Sequence, residues 1–99
     1  MITLDAGNVL LKPTQKKQVL ARLKRAIRLG DRIGEFFMTI RMRRTGRHVE
    51  MTADVRDRFG NFSMRTKGQN WMDALHEIVR NVFREIHNHT VRRAALSAV

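Results

Sequence analysis

The sequence predicts an α+β fold, a two-layer β-α-β-β-β-α sandwich in which two helices cover one face of a four-stranded sheet. Three observations lead to this prediction: two segments with apolar residues at helical spacing, four segments with apolar residues at every second position, and the order of these segments. The 99 residues suit one domain. We expect it to span residues 1–90, followed by a short C-terminal tail over 91–99 that either extends the last helix or frays.

The N-terminal third of the chain predicts the first strand and the first helix. The segment Ile2–Ala6 alternates apolar and polar residues, which is the period of a strand with one buried face. Pro13 suits the first turn of a helix, where an N–H group would have no partner. We expect Gly30 to end this helix. Its apolar stripe is predicted to consist of Val19, Leu20, Leu23 and Ile27.

The middle of the chain predicts three consecutive strands. Turns are expected at Thr45-Gly46 and at Gly60-Asn61, and Gly68 is expected to break the last strand. Alternation assigns one face of each strand to the core. The inward residues are predicted to be Phe36, Met38, Ile40 and Met42, then Val49, Met51, Ala53 and Val55, and then Phe62 and Met64.

A second helix is predicted from Asn70 to about His87. Asn70 is a suitable N-cap, and Asp73 places a carboxylate in the first turn, where the helix dipole favours it. We expect the first strand to join the sheet by a crossover through the first helix. The apolar stripe of the second helix is predicted to be Trp71, Met72, Leu75, Ile78, Val79, Val82, Phe83 and Ile86.

The net charge is the strongest indication of function. Twenty Lys and Arg residues oppose nine Asp and Glu residues, which gives +11, and fifteen of the twenty are Arg. A small fold tolerates this self-repulsion most readily when its partner is a polyanion, and guanidinium groups bind phosphate in a bidentate way. The composition favours nucleic acid as the partner; an anionic membrane, or no anionic partner, is the alternative. Without cysteine or a signal-peptide pattern, we expect a cytoplasmic protein.

Basic residues of the first predicted helix share one face. Lys17, Lys24 and Arg28 lie opposite the apolar stripe, and no acidic residue lies four positions away from any of them. A solvated helix face usually carries such acidic partners. Their absence favours a surface that binds phosphate.

The second predicted helix carries a matching row at four-residue spacing, formed by His76, Arg80 and Arg84. If the helices pack side by side, antiparallel or crossed, both rows lie on one outer surface. A groove between them can then follow an RNA backbone. The alternative is that Glu77 and Glu85 neutralise Arg80 and Arg84 within the helix.

The densest group of basic residues lies around the predicted Thr45-Gly46 turn. It consists of Arg41, Arg43, Arg44 and Arg47. Such a hairpin tip can reach into an RNA crevice, or it can be a charged edge that prevents aggregation between sheets. The sequence leaves both interpretations open.

The sequence specifies no enzyme, metal site or cofactor site. It has no glycine-rich phosphate loop, and its four histidines do not have the spacing of a metal motif. Asp73 and His76 lie one helical turn apart, but no nucleophile accompanies them. Phe37 is the only aromatic residue expected on the outer sheet face, which favours recognition of RNA backbone and shape over base stacking.

Three segments carry a family resemblance: Val49–Val55, Gly60–Arg65 and Gln69–Leu75. Together with the order of the elements, they resemble the ribosome hibernation-promoting factor and ribosome-associated inhibitor family, also called the sigma-54 modulation family. The resemblance covers the chain from Met1 to about His89. Where the family opens its last helix with an acidic residue, Met and Tyr, this chain has Asn70, Trp71 and Met72.

The resemblance implies a non-catalytic protein without a cofactor, a monomer or weak dimer, that binds the small ribosomal subunit near the decoding centre and blocks the sites of tRNA and mRNA under stress. The chain resembles the short form of the family, without the C-terminal domain by which long members pair ribosomes. The two helices are then expected to carry the rRNA contacts. The expected RNA-binding residues are Lys17, Lys24, Arg25, Arg28, Arg80 and Arg84, followed by Arg41, Arg43, Arg44 and Arg47.

Two other functions remain open from the sequence. A general double-stranded-RNA-binding module also has the order α-β-β-β-α, but it lacks the additional first strand. A protein-interaction regulator, as the sigma-54 name suggests, would use the outer sheet face around Phe37 rather than the helices.

Overall fold

The computed structural model describes residues 2–58 and 60–97, with side chains for all of these except 33, 89, 90 and 92–97. The elements follow the predicted order, so the α+β fold class is confirmed. They are β1 (Ile2–Asp5), α1 (Pro13–Ile33), β2 (Phe36–Thr45), β3 (His48–Asp57), β4 (Gly60–Gly68) and α2 (Trp71–Ser97).

The four strands form one sheet in the order β1-β2-β3-β4. β1 runs parallel to β2, with Leu4 opposite Ile40. This parallel pairing confirms the predicted crossover through α1. β2, β3 and β4 form an antiparallel meander in which Met51 lies between Met42 and Thr66.

The core lies between one face of the sheet and the inner faces of both helices. The predicted inward residues of β2 and β3 are all buried, whereas Phe62 and Met64 are only partly buried because β4 is an edge strand. In α1, Leu23 is fully buried but Leu20 is 37% exposed. The prediction was wrong for Leu20 because the buried line of α1 continues to Ala26 instead. The buried residues of α2 are Ala74, Leu75, Ile78, Val82 and Ile86.

The two hairpins turn through short loops. Gly46 has φ 60° at the first central position of the β2–β3 turn, the geometry of a type II′ turn, which confirms the turn predicted at this glycine. The turn predicted at Gly60-Asn61 lies two residues earlier. Gly60 already pairs with Asp57 in the sheet, so the chain reverses between these two residues.

Gly30 lies inside α1, not at its end as predicted. The helix continues to Ile33, and Gly34, with φ 139°, follows it. A Cβ atom at Gly30 would meet the ring of Phe36, only 2.6 Å from its Cγ atom. Gly30 therefore serves helix–sheet packing, because the absence of a side chain at this position lets the Phe36 ring lie directly against α1.

The start of α2 is the predicted one, but its end is not. The Asp73 N–H donates to Asn70 Oδ1 over 3.0 Å, which is the predicted N-cap, and the buried Thr66 hydroxyl donates to the Ala74 carbonyl over 2.9 Å. The predicted end near His87 is wrong because no Gly or Pro follows to stop the helix before Ser97. α2 thus includes most of the predicted tail, of which residues 98–99 lie outside the described residues.

Gly30→Ala is expected to destabilise the protein. At an ordinary helix position this change stabilises by about 1 kcal/mol. Here the added methyl group collides with the Phe36 ring, which the core holds in place, and such overpacking costs about 1–3 kcal/mol. Urea denaturation followed by circular dichroism measures the unfolding free energy. The control is Ala21→Gly, at an exposed position of the same helix, which measures the difference in helix propensity between alanine and glycine without any change in core packing. A gain in stability on Gly30→Ala would contradict the packing role.

Candidate nucleic-acid interface

The two helices lie side by side over the sheet and run in the same direction. Arg22 of α1 lies beside His76 and Arg80 of α2, and further along both helices Arg25 lies beside Phe83. The helices are therefore not antiparallel, which was one of the two arrangements considered from the sequence. β1 and β4 both end at the side of the sheet where β2 turns into β3, so both helices start there.

A groove runs between α1 and α2, and we call it the interhelical groove. It contains two hollows of about 250 and 340 Å³. Its floor is apolar and partly buried, its rims are basic, and none of the described residues that line it is acidic. The lining residues are Arg22, Arg25, Arg28, Leu29 and Arg32 of α1, and His76, Val79, Arg80 and Phe83 of α2.

Three planar side chains stack along this groove, and we call them the Arg25–Phe83–His87 column. The guanidinium carbon of Arg25 lies 5.1 Å from the centroid of the Phe83 ring, within the range of a cation–π interaction. The Phe83 and His87 rings are almost parallel, at 6°, with centroids 6.4 Å apart. Their four-residue spacing places them on one face of α2. Because Phe83 orients Arg25, this guanidinium loses less freedom when it binds a ligand.

The outer surface of the two helices, here called the helix layer, has several basic residues that form no ion pair with a described carboxylate. α1 has seven Lys and Arg residues against one Asp. Among the described residues, the alternative pairing of Arg80 with Glu77 is not found, and no carboxylate forms an ion pair with Arg22, Arg25, Arg28 or Arg84. Within the same part of the chain, neither helix combines the length and the hydropathy of a membrane span.

The outer sheet face, which the helices do not cover, has a different charge pattern. Arg41 Nη1 lies 3.4 Å from Asp54 Oδ2, and Arg65 Nε lies 3.2 Å from Glu50 Oε1. Arg43 is exposed on this same face, opposite Glu50 in the strand register. Acidic and basic side chains thus alternate across the strands here, and part of the basic charge is compensated.

Arg44 and Arg47 lie exposed at the β2–β3 hairpin end. The backbone N–H of Arg44 donates to Asn8 Oδ1 over 2.7 Å, and Asn8 Nδ2 donates to the Arg44 carbonyl over 3.2 Å. The loop after β1 is thereby attached to the hairpin. Since both helices also start at this end, the hairpin arginines adjoin the helix layer.

The predicted site residues therefore divide between faces. Arg25, Arg28 and Arg80 line the interhelical groove. Lys17, Lys24 and Arg84 are exposed on the helix layer, Arg44 and Arg47 adjoin it, and Arg41 and Arg43 face the other way.

Sequence reasoning missed part of the groove. It did not single out Arg22, Arg32, Phe83 or His87 as site residues. The spacing of residues in α1 could have revealed this part of the groove. Residues on one side of the helix, next to its buried stripe, recur at spacings of three and four: Arg22, Arg25, Leu29 and Arg32.

The fold also occurs in solved structures of other proteins. The N-terminal domain of Protein Y from Thermus thermophilus matches with a TM-score of 0.76 and 16% identity, over 88% of this chain and 94% of that one. This chain has the same fold. A ribosomal subunit interface protein from Coxiella burnetii matches with a TM-score of 0.73 and 10% identity, over 91% and 97% of the two chains. Both neighbours agree with the family that the sequence resembles, and at these identities the likeness establishes the fold. No protein-family model and no curated protein matches the sequence.

Arg25→Ala and Arg80→Ala are each expected to weaken binding to duplex RNA. Each removes a cation from the interhelical groove, so the slope of log affinity against log salt should fall by about 1. Fluorescence anisotropy between about 50 and 200 mM salt measures affinity and slope. Arg41→Ala is the control on the outer sheet face, where Asp54 already pairs with the guanidinium. An equal loss in all three variants would show that net charge, not the groove, governs binding.

Proposed function

We propose that the protein is a ribosome-binding inhibitor of translation, a hibernation factor that docks its helix layer on rRNA of the small subunit. The observation that carries this proposal is the interhelical groove, whose rim residues Arg22, Arg25, Arg28 and Arg80 form no ion pair with a described carboxylate. The fold supports it, since one structural neighbour is a ribosomal subunit interface protein. The protein would act in the cytoplasm, where ribosomes work.

Binding of this kind is electrostatic, and its strength depends on salt. If the helix layer neutralises about six phosphates, affinity should fall about a thousandfold between about 50 and 200 mM salt. The same charge attracts the protein to the ribosome from a distance and speeds association. Tight docking at cellular salt then needs further contacts whose strength does not depend on counterion release.

Inhibition in this proposal is steric. The two-layer fold has a well-filled core, with Leu23, Ile40, Met51 and Leu75 fully buried, so it can keep its shape while it fills a channel. A rigid body placed on the tRNA and mRNA sites excludes both ligands without any catalytic group.

Sedimentation with ribosomes and isolated subunits, across a salt series and with or without bound tRNA, tests the proposal. We expect salt-sensitive binding to the small subunit, and we expect tRNA to compete with it. Binding that ignores tRNA, or that naked duplex RNA matches in affinity, would instead indicate a general RNA-binding module.

Paired charge reversals separate docking by the helices from docking by the sheet. Lys24→Glu with Arg28→Glu should abolish ribosome binding, because both residues lie on the helix layer. The control is Arg43→Glu with Arg56→Glu, which makes the same change of charge on the outer sheet face and should retain most of the binding. The reverse result would indicate that the face around Phe37, which is 44% exposed, carries the interaction.

A further inference from the structure

We propose that the interhelical groove holds one unpaired nucleotide of the RNA partner, with its base stacked on the Arg25–Phe83–His87 column. The inference rests on the proposed function and deepens it, because it names the RNA feature that the groove recognises. It also departs from the sequence-based prediction, which favours recognition of RNA backbone and shape over base stacking.

The first argument is the apolar floor of a basic groove. A duplex presents phosphates and sugars to a surface that follows its backbone, and such a surface needs cations but no aromatic floor. Here the larger hollow, of about 340 Å³, has Leu29 and Phe83 at its base. This volume lies at the lower end of the range for small-molecule sites, about 300–1,000 Å³, which suits a single nucleotide.

The second argument is the geometry of the column. Unpaired bases stack on aromatic rings and on guanidinium planes, and the column offers both next to each other. Arg25 lies over Phe83 at 5.1 Å, and the His87 ring is parallel to Phe83 within 6°. His87 is exposed, so the planar surface continues from the groove floor to solvent.

The third argument is charge. A nucleotide brings a phosphate with its base, and Arg25 and Arg28 line the hollow without an ion pair to a described carboxylate. The hollows beside Phe37 on the outer sheet face are comparable in size, but Glu35, Asp54 and Asp57 are among their lining residues. Arg56 and Arg58 also line these hollows, but the carboxylates oppose a phosphate, so the groove, whose described lining has no carboxylate, suits a nucleotide better.

The site predicts a preference for RNA with an unpaired nucleotide. The test uses two hairpin RNAs of equal charge, one fully paired and one with a single bulged 2-aminopurine, and the full chain. Since stacking on an aromatic side chain strengthens binding substantially, the bulged hairpin should bind about tenfold more tightly. The 2-aminopurine fluorescence should fall on binding, because stacking quenches it.

Two variants locate the stacking surface. Phe83→Leu keeps an apolar side chain on the floor but removes the ring, and His87→Ala changes an exposed side chain without touching the core. Both should reduce the tenfold preference, because each lowers the affinity for the bulged hairpin more than the affinity for the paired hairpin, which has no base to stack. Their matched controls, Phe37→Leu and His48→Ala, replace exposed residues outside the groove and should keep the preference.

Equal affinity of the unaltered protein for both hairpins, with unchanged fluorescence, would overturn the nucleotide site. So would a preference that survives both Phe83→Leu and His87→Ala. The proposed function fails by a different result, the absence of salt-sensitive small-subunit binding in sedimentation. Each proposal can therefore fail while the other stands.

Discussion

The core holds the two helices next to each other, and the helix layer depends on this constraint. Leu23 of α1 and Leu75, Ile78 and Val82 of α2 are fully buried. Each such side chain contributes about 1.5–3 kcal/mol when it leaves water, whereas two exposed like charges repel by only about 1 kcal/mol at close range. Burial therefore outweighs repulsion, and the arginines of α1 remain close to those of α2. A polyanion that enters between them relieves the repulsion, so the folded state is already prepared for its ligand.

The charge of the chain is distributed unevenly between the outer sheet face and α1, because the strands bring opposite charges together and the helix does not. On the outer sheet face, strand register places Asp54 and Glu50 next to Arg41 and Arg65, and the pairs compensate each other. On α1 almost every charged residue is basic, so no spacing could pair them. Much of the net charge of +11 therefore lies on α1, and the proposed site uses this side of the molecule.

The sequence predicts the sheet well because apolar residues at every second position of a strand all lie on one face, and this face must point to the core. It fails at Gly30, since a glycine that ends a helix and one that makes room for an aromatic ring look alike in the sequence. The shared direction of the helices could have been derived from the predicted topology, because a parallel crossover and a three-strand meander bring the C-terminal ends of β1 and β4 to the same end of the sheet. The groove lining was harder to predict, because the rotation of α1 about its axis decides whether Arg22 or Lys24 faces α2.

Parallel helices also give the molecule a net dipole moment along the helix axes. The backbone dipoles of antiparallel helices would cancel, but those of α1 and α2 add, each leaving a partial charge of about +0.5 at its N-terminus. Both N-termini lie at the hairpin end, close to Arg44, and Lys16 lies in the first turn of α1. An approaching polyanion therefore meets a field that differs from one end of the groove to the other. This field can orient the protein relative to the polyanion before any side chain makes contact.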